Sequence, residues 1–223
     1  MKTIESLINK HKEQKALIIG AGSTVREYQP HIKRFIKNEM PLIIGINNIT
    51  DFFIPDYHLW TNTQRFRTYG NKINKKSKIL LGAGIHLKTV RETIGSKEYT
   101  LINFTDMKEG VPIGYKKGKI YGLYRTAGCL AIMVLHLMGV KEINIVGMDG
   151  YSYHTQEELT SGKESHHCYG KGFTDTATWK TCVKKDNIIE KVLHNLRNYG
   201  INFNIITPTK YEEFYDDNIR LHV

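Results

Sequence analysis

Residues 121–153, YGLYRTAGCLAIMVLHLMGVKEINIVGMDGYSY, constrain the fold more than any other stretch. Within them 129–138 is an apolar run with one polar member, His136, and no proline, long enough for a buried helix. Gly139 predicts its end, because glycine takes the left-handed C-terminal position at no steric cost. Ile143-Asn144-Ile145-Val146 then reads as a short central strand that stops at Gly147. Asp149 and Tyr151 follow where the carboxyl end of a parallel strand opens into a crevice, the usual ligand position in open α/β sheets.

The rest of the chain repeats this alternation. Ile4, Leu7, Ile8 and His11 have helical spacing, so 3–14 is expected to be a helix ahead of a first strand at Leu17-Ile18-Ile19. Gly20-Ala21-Gly22-Ser23-Thr24 follows as a glycine turn, and 25–37 reads as the next helix, with Pro30 restricting where it begins. Such a turn either presents backbone amides to an anionic group or is a tight connection that needs glycine for geometry alone. It lacks the third glycine of the dinucleotide fingerprint, which argues against a nicotinamide cofactor. Strands are expected at 42–46 and 57–60, ending in Asn47-Asn48 and Thr61-Asn62-Thr63. Asparagine there suits a base edge or a ribose hydroxyl, or caps a turn. Residues 63–78 read as surface, 79–81 as a strand, 87–94 as a helix, 99–104 as a strand and 105–119 as an irregular loop. The polar stretch 152–175 holds His154, His166, His167 and Lys171 and reads as disordered or as a functional lid. Its histidines lack zinc-site spacing, so no metal is expected. The last helix is expected over 179–198, with Trp179, Val183, Ile188, Ile189, Val192, Leu193 and Leu196 on a broad apolar face, then a closing strand at 202–206 and a short surface helix in the tail.

Short apolar strands alternating with helices predict one α/β domain over 1–223, a mostly parallel sheet flanked by helices with a polar lid loop at about 152–175. With 40% hydrophobic and 24% charged residues, the composition is that of a soluble globular chain. No window reaches the roughly 18 apolar residues of a membrane span, and the amphipathic N-terminus has no signal core, so a cytoplasmic location is expected. Cys129, Cys168 and Cys182 have no CxxC spacing and read as free thiols. A net charge of +10 calls for an anionic partner. The basic residues are dispersed and no nucleic-acid module appears, so specific nucleic-acid binding is not expected; peripheral contact with an anionic membrane surface and self-association stay open.

Five landmarks in this order, Gly20-Ala21-Gly22-Ser23, Ile46-Asn47-Asn48, Trp60-Thr61-Asn62, Thr126-Ala127-Gly128 and Gly147-Met148-Asp149-Gly150-Tyr151, resemble the bacterial sialyltransferases of glycosyltransferase family forty-two. They also resemble the wider Rossmann-like group with the motility-associated flagellin glycosyltransferases and the archaeal pterin diphosphokinases. The resemblance implies transfer of an acidic, sialic-acid-like sugar from a CMP-activated donor to a glycan acceptor, with no cofactor. It places Gly20, Ala21, Gly22, Ser23, Asn47, Asn62, Thr126, Ala127, Gly128 and Asp149 on the nucleotide and Tyr151 on the donor phosphate. Tyr153 is the nearest candidate for a second phosphate-binding tyrosine. Lys171 stands where the family carries its catalytic histidine; lysine is a poor general base but can stabilise a leaving phosphate. The base is then His167, with His166 and His154 as rivals, and Tyr151 and Lys171 steady the leaving group. The alternatives are a diphosphokinase-like enzyme that uses magnesium on a nucleotide or pterin, and a non-catalytic module for an anionic partner.

Overall fold

The structure, a computed structural model, describes residues 2–172 and 177–221. Its strands are β1 (Lys2–Thr3), β2 (Lys15–Ile19), β3 (Leu42–Ile46), β4 (Tyr57–Trp60), β5 (Lys78–Gly82), β6 (Tyr99–Ile102), β7 (Phe104–Asp106), β8 (Gly114–Lys116), β9 (Lys119–Gly122), β10 (Glu142–Val146) and β11 (Phe203–Ile205). Between them run α1 (Thr24–Glu27), α2 (Gln29–Glu39), α3 (Thr63–Tyr69), α4 (Leu87–Ile94), α5 (Ala127–Leu137), α6 (Gln156–Thr160) and α7 (Trp179–Asn198). Eight strands form one sheet in the order β1-β6-β5-β4-β3-β2-β10-β11, with every pairing parallel. This is the Rossmann-like α/β architecture that the alternation of elements predicts.

Parallel strands need helical crossovers, which cover both faces and leave each strand apolar on both sides. The period of two then divides the central strands between two cores. Ala16 and Ile18 of β2, Ile44 and Ile46 of β3, and Ile143 and Ile145 of β10 pack beneath α5 and α7. Leu17 and Ile19 face α1 and α2 instead. Helix α5 lies over β2, β3 and β4 and against α7, so it is buried all round, as a helix without a polar face must be. The Thr126 hydroxyl caps it by accepting from the Cys129 N–H at 3.2 Å, and Gly139 at φ +83° ends it.

The topology fixes where a crevice opens. From β2 the chain steps outward through β3, β4, β5 and β6, then returns to lay β10 and β11 on the other side of β2. Loops leaving the carboxyl ends of β2 and β10 therefore diverge, and that switch point is where open parallel sheets bind ligands. Ile19 pairs with Val146, so Gly20 and Gly147 leave the sheet side by side.

Several local expectations change. Residues 3–14 hold β1 and one 3-10 turn, Ile4–Leu7, because Asn9 (φ +55°) and Glu13 (φ +62°) take left-handed conformations that no α-helix admits. The helix expected over 25–37 is broken at Tyr28, since Pro30 falls in the first turn of α2 and has no N–H to extend α1. The strand expected over 99–104 splits between two sheets, and the loop expected over 105–119 belongs to a second, three-stranded sheet in the order β7-β9-β8. Lys117 and Gly118, both at positive φ, turn β8 into β9 as a two-residue hairpin requires. The tail is not a surface helix: Tyr211, Phe214 and Ile219 are buried, and Phe214 stacks on Phe203 with ring centroids 5.6 Å apart. The lid region is not without regular structure, for 156–160 forms α6 with a full Thr155–Glu158 capping box. Its residues 173–175 lie outside the described residues. Among the described residues, no helix is long and apolar enough to cross a membrane.

Candidate active site

The carboxyl ends of β2, β3, β4 and β10 and the N-terminus of α5 enclose a crevice of about 280 Å³. Gly20, Ala21, Gly22, Asn47, Asn62, Thr126, Ala127, Gly128, Asp149, Tyr151, His166 and His167, all singled out in the sequence, line it together. Ser23, Tyr153, His154 and Lys171 do not; they line a second cavity of about 630 Å³, which His167 also borders.

The glycine turn is shaped first by its neighbour. Gly20 donates to the Val146 carbonyl at 2.8 Å and Gly22 to that of Gly147 at 3.0 Å, so these two amides are already committed. A Cβ on Gly20 would lie 2.4 Å from the Gly147 oxygen, and one on Gly22 would lie 2.5 Å from the Asp149 carboxyl carbon. Close approach of two loops accounts for both glycines.

Asp149 ties the crevice to the glycine turn. It is 3% exposed, and its carboxylate accepts from the Thr24 N–H at 3.0 Å, the Thr24 hydroxyl and the Ser23 hydroxyl at 2.9 Å. Burial pushes its pKa up, while the bonds from Thr24 and Ser23 pull the other way. Because Ser23 gives its single proton to Asp149, His154 Nε2, 2.7 Å from the Ser23 oxygen, must be the donor there. That engagement removes His154 Nε2 as a proton acceptor.

The lid segment is pinned onto the same turn. His167 pairs with Gly22 in an isolated bridge, the Cys168 N–H donates to the Ala21 carbonyl at 3.0 Å, and the Arg26 guanidinium donates to the Cys168 carbonyl. His167 is 7% exposed and stacks on Tyr169, with centroids 4.8 Å apart and planes at 10°. His166 faces the Tyr151 ring at 6.5 Å. Tyr151 carries Lys185 over its ring at 4.7 Å, and burial raises its hydroxyl pKa, keeping it a hydrogen-bond donor.

The two asparagines part company. Asn62 caps α3, its Oδ1 accepting from the Arg65 N–H at 2.9 Å. Asn47 sits at φ +55°, and its Oδ1 is buried at the crevice with no hydrogen-bond partner among the described residues. An acceptor left so costs about 1–3 kcal/mol, which a ligand donor would recover.

Sequence reasoning missed two arginines. Arg65, in the first turn of α3, and Arg125, just ahead of the α5 cap, both line the crevice. Arg125 is held at φ +57° by Asp106, which accepts from the Tyr124 and Arg125 N–H groups at 2.7 and 3.4 Å. The signal was there: Arg125 directly precedes Thr126, and Arg65 lies three residues after Asn62, within the first turn of the helix that follows that strand end.

The buried cysteines play no part. Burial raises all three thiols, Cys129 and Cys168 to about 12, which leaves them protonated and inert. Among the described residues no group of three or more His, Cys, Asp or Glu is placed to hold a metal, and the crevice's carboxylate, Asp149, is taken by Ser23 and Thr24. The donor set therefore fits a magnesium-dependent diphosphokinase poorly.

Fold and site define a parallel α/β protein with a cationic crevice at its switch point. No family model matches the chain, and no curated protein matches it.

Proposed function

We propose that this chain is an inverting glycosyltransferase that moves an acidic, sialic-acid-like sugar from a CMP-activated donor to a glycan acceptor. The observation that carries the reading is the meeting, at one switch point, of Asn47, the α5 N-terminus, Tyr151, His166 and His167 with Arg65 and Arg125. An eleven-residue helix directs its positive end at Thr126-Ala127-Gly128, and guanidinium groups bind phosphate and carboxylate with paired N–H donors. A nucleoside monophosphate joined to an acidic sugar offers both anions. The unpartnered Asn47 Oδ1 suits a base amine or ribose hydroxyl.

In the transfer, an acceptor hydroxyl gives its proton to the His167 imidazole while its oxygen bonds to the anomeric carbon from the face opposite the phosphate. The bond from that carbon to the phosphate oxygen breaks, and CMP leaves with the electron pair. Tyr151, Arg65 and Arg125 supply donors to the developing phosphate charge, as a preorganised anion hole does. This reading moves Lys171 and Tyr153 away from the leaving group.

Calorimetric titration with CMP, UMP, AMP and GMP is expected to show CMP binding most tightly. With CMP-N-acetylneuraminic acid as donor, His167→Ala is expected to lower turnover about a hundredfold or more, the scale of a lost general base, while CMP affinity changes little. Absence of binding to all four nucleotides would overturn the reading and favour a non-catalytic module for an anionic partner. Unchanged turnover in both His166→Ala and His167→Ala would remove the histidines from the chemistry.

A further inference from the structure

All strands of the large sheet run parallel, so their amino ends share one edge of the molecule and the crevice lies at the other. Three turns meet on that amino edge. Residues 8–14 run along the end of α5, where the Asn9 and His11 N–H groups donate to the Leu137 and Met138 carbonyls at 2.9 and 2.8 Å. His11 Nε2 lies 2.9 Å from the hydroxyl of Tyr57, the first residue of β4. Residues 53–56 lead into β4 beside the start of β3, since the Asp56 carboxylate accepts from the Ile43 N–H at 2.8 Å. Residues 73–77 lie against them in turn: the Ser77 hydroxyl donates to the Pro55 carbonyl at 2.6 Å, and the Lys78 N–H to that of Asp56 at 2.8 Å.

This edge is basic. Lys10, Lys12, Lys75 and Lys76 stand exposed on its turns, and Lys37 on the last turn of α2, which returns the chain to the amino end of β3. Among the described residues these five close no ion pair, and exposed Lys78 lies over the Tyr57 ring at 5.1 Å. The carboxylates bordering them are matched locally instead. Glu39 lies 2.7 Å from Lys15 and Glu13 3.8 Å from Lys141, Asp56 takes the Ile43 N–H, and Glu142 accepts from the Asn144 amide at 2.9 Å. The edge therefore carries an excess of positive charge that the protein itself leaves open.

The same edge exposes large apolar side chains. Met40, which caps α2 just ahead of β3, is 83% exposed, and Ile54, just ahead of β4, is 55% exposed. These two strands are paired neighbours, with Ile44 opposite Tyr57, so both residues project beyond the same end of the sheet. A single exposed apolar residue is ordinary. Two at adjacent strand starts are not, when Lys37 precedes one by a turn of helix and the 73–77 turn with Lys75 and Lys76 packs against the other. Ammonium groups drawn to negative headgroups, with apolar tips entering the boundary beneath them, are what an anionic lipid surface selects. Nucleic acid would satisfy the lysines and offer nothing to Met40 and Ile54. A second copy packed face to face would set lysine against lysine.

We propose that the amino edge of the sheet, with Met40 and Ile54 at its surface and Lys37, Lys75 and Lys76 beside them, docks on an anionic phospholipid bilayer and leaves the crevice on the opposite edge facing solvent. The transferase reading plays no part in this and can fail separately. Flotation of the full chain is expected to carry it with phosphatidylcholine vesicles that contain about a third phosphatidylglycerol, and not with phosphatidylcholine alone. Raising the salt from about 0.1 to about 0.5 M is expected to release most of it. The pair Met40→Ser and Ile54→Ser, and separately the pair Lys75→Glu and Lys76→Glu, are each expected to weaken partitioning about fivefold or more. All four positions are exposed, so the urea-unfolding midpoint should stay unchanged and show that the variants fold. Equal partitioning onto charged and uncharged vesicles, none onto either, or partitioning indifferent to loss of Met40 and Ile54 would overturn the proposal. So would displacement from the vesicles by stoichiometric duplex RNA, which would give the lysines to a nucleic acid. A solution dimer that dissociates on loss of Met40 and Ile54 would likewise overturn it and give the face to a second copy.

Discussion

His58 is fully enclosed in β4, between a landmark and an aromatic neighbour. Its Nε2 lies 2.6 Å from the Asn47 carbonyl, and its ring sits 4.8 Å from that of Trp60. The carbonyl can only accept, so Nε2 carries the hydrogen, and Nδ1 is left without a partner among the described residues. This bond helps to hold Asn47 in the left-handed conformation that turns its side chain to the crevice. Desolvation lowers the His58 pKa from 6.5 to about 4, so between those values the unfolded chain binds a proton that the folded protein does not. Stability from this residue is present above pH 6.5 and is lost as pH falls toward 4. At pH 5 the loss relative to pH 7 comes to about 2 kcal/mol. Urea unfolding at the two pH values is expected to show it in the wild type and not in His58→Phe; equal losses in both proteins would exclude His58 as the source. The sequence placed His58 in a strand, but a lone histidine in YHLW does not disclose whose carbonyl it meets.

At the scale of elements, α7 shows how a helical stripe can be read one step out of register at one end of a helix and in register at the other. Ile189, Val192, Leu193 and Leu196 are buried as the expected apolar face has them, but toward the N-terminus Trp179 and Val183 give way to a buried row through Cys182 and Asp186, and Val183 is exposed. Spacing the row back from Leu193 by threes and fours leads to Asp186, an acid at a core position. There its carboxylate accepts from the Tyr151 N–H at 2.8 Å, the Ser152 N–H at 2.7 Å, the Ser152 hydroxyl at 2.6 Å and the Tyr211 hydroxyl at 2.8 Å. The last long helix therefore fixes the loop that carries Tyr151, and ties the tail to it. Asp186→Ala strands several buried donors at about 1–3 kcal/mol apiece, so a loss of about 3 kcal/mol or more is expected in urea unfolding. Tyr211→Phe alone should cost about 1 kcal/mol, and much less in the Asp186→Ala background, because the partner is already gone. Additive costs in the double variant would mean that the Tyr211 hydroxyl and Asp186 do not interact.

For the whole molecule, alternation of short apolar strands with helices was enough to imply a parallel sheet, because no antiparallel ribbon buries both faces of LIIG or INIV. Strand ends were legible for the same reason: glycine, asparagine or threonine stops each apolar run. The second sheet was not, since β7, β8 and β9 are three or four residues each and sit among Gly, Pro and Lys that read as loop. The arginines were hidden too, because strand order, absent from the sequence, brings residues 65 and 125 to one crevice. That convergence predicts a pattern of protection. CMP at a hundred times its dissociation constant would stabilise the fold by about 2.7 kcal/mol, slowing equally every amide that exchanges only through global unfolding. Amides that exchange by local opening report the site instead. Hydrogen exchange with CMP is therefore expected to slow at 20–23, 47–48, 62–65, 125–128 and 147–151, segments far apart in sequence that meet at the switch point. Helix α4 and the β1–β6 edge contribute nothing to the crevice lining and should keep their locally exchanging amides unchanged. Protection confined to that edge, or missing from 125–128, would place the nucleotide elsewhere on the sheet.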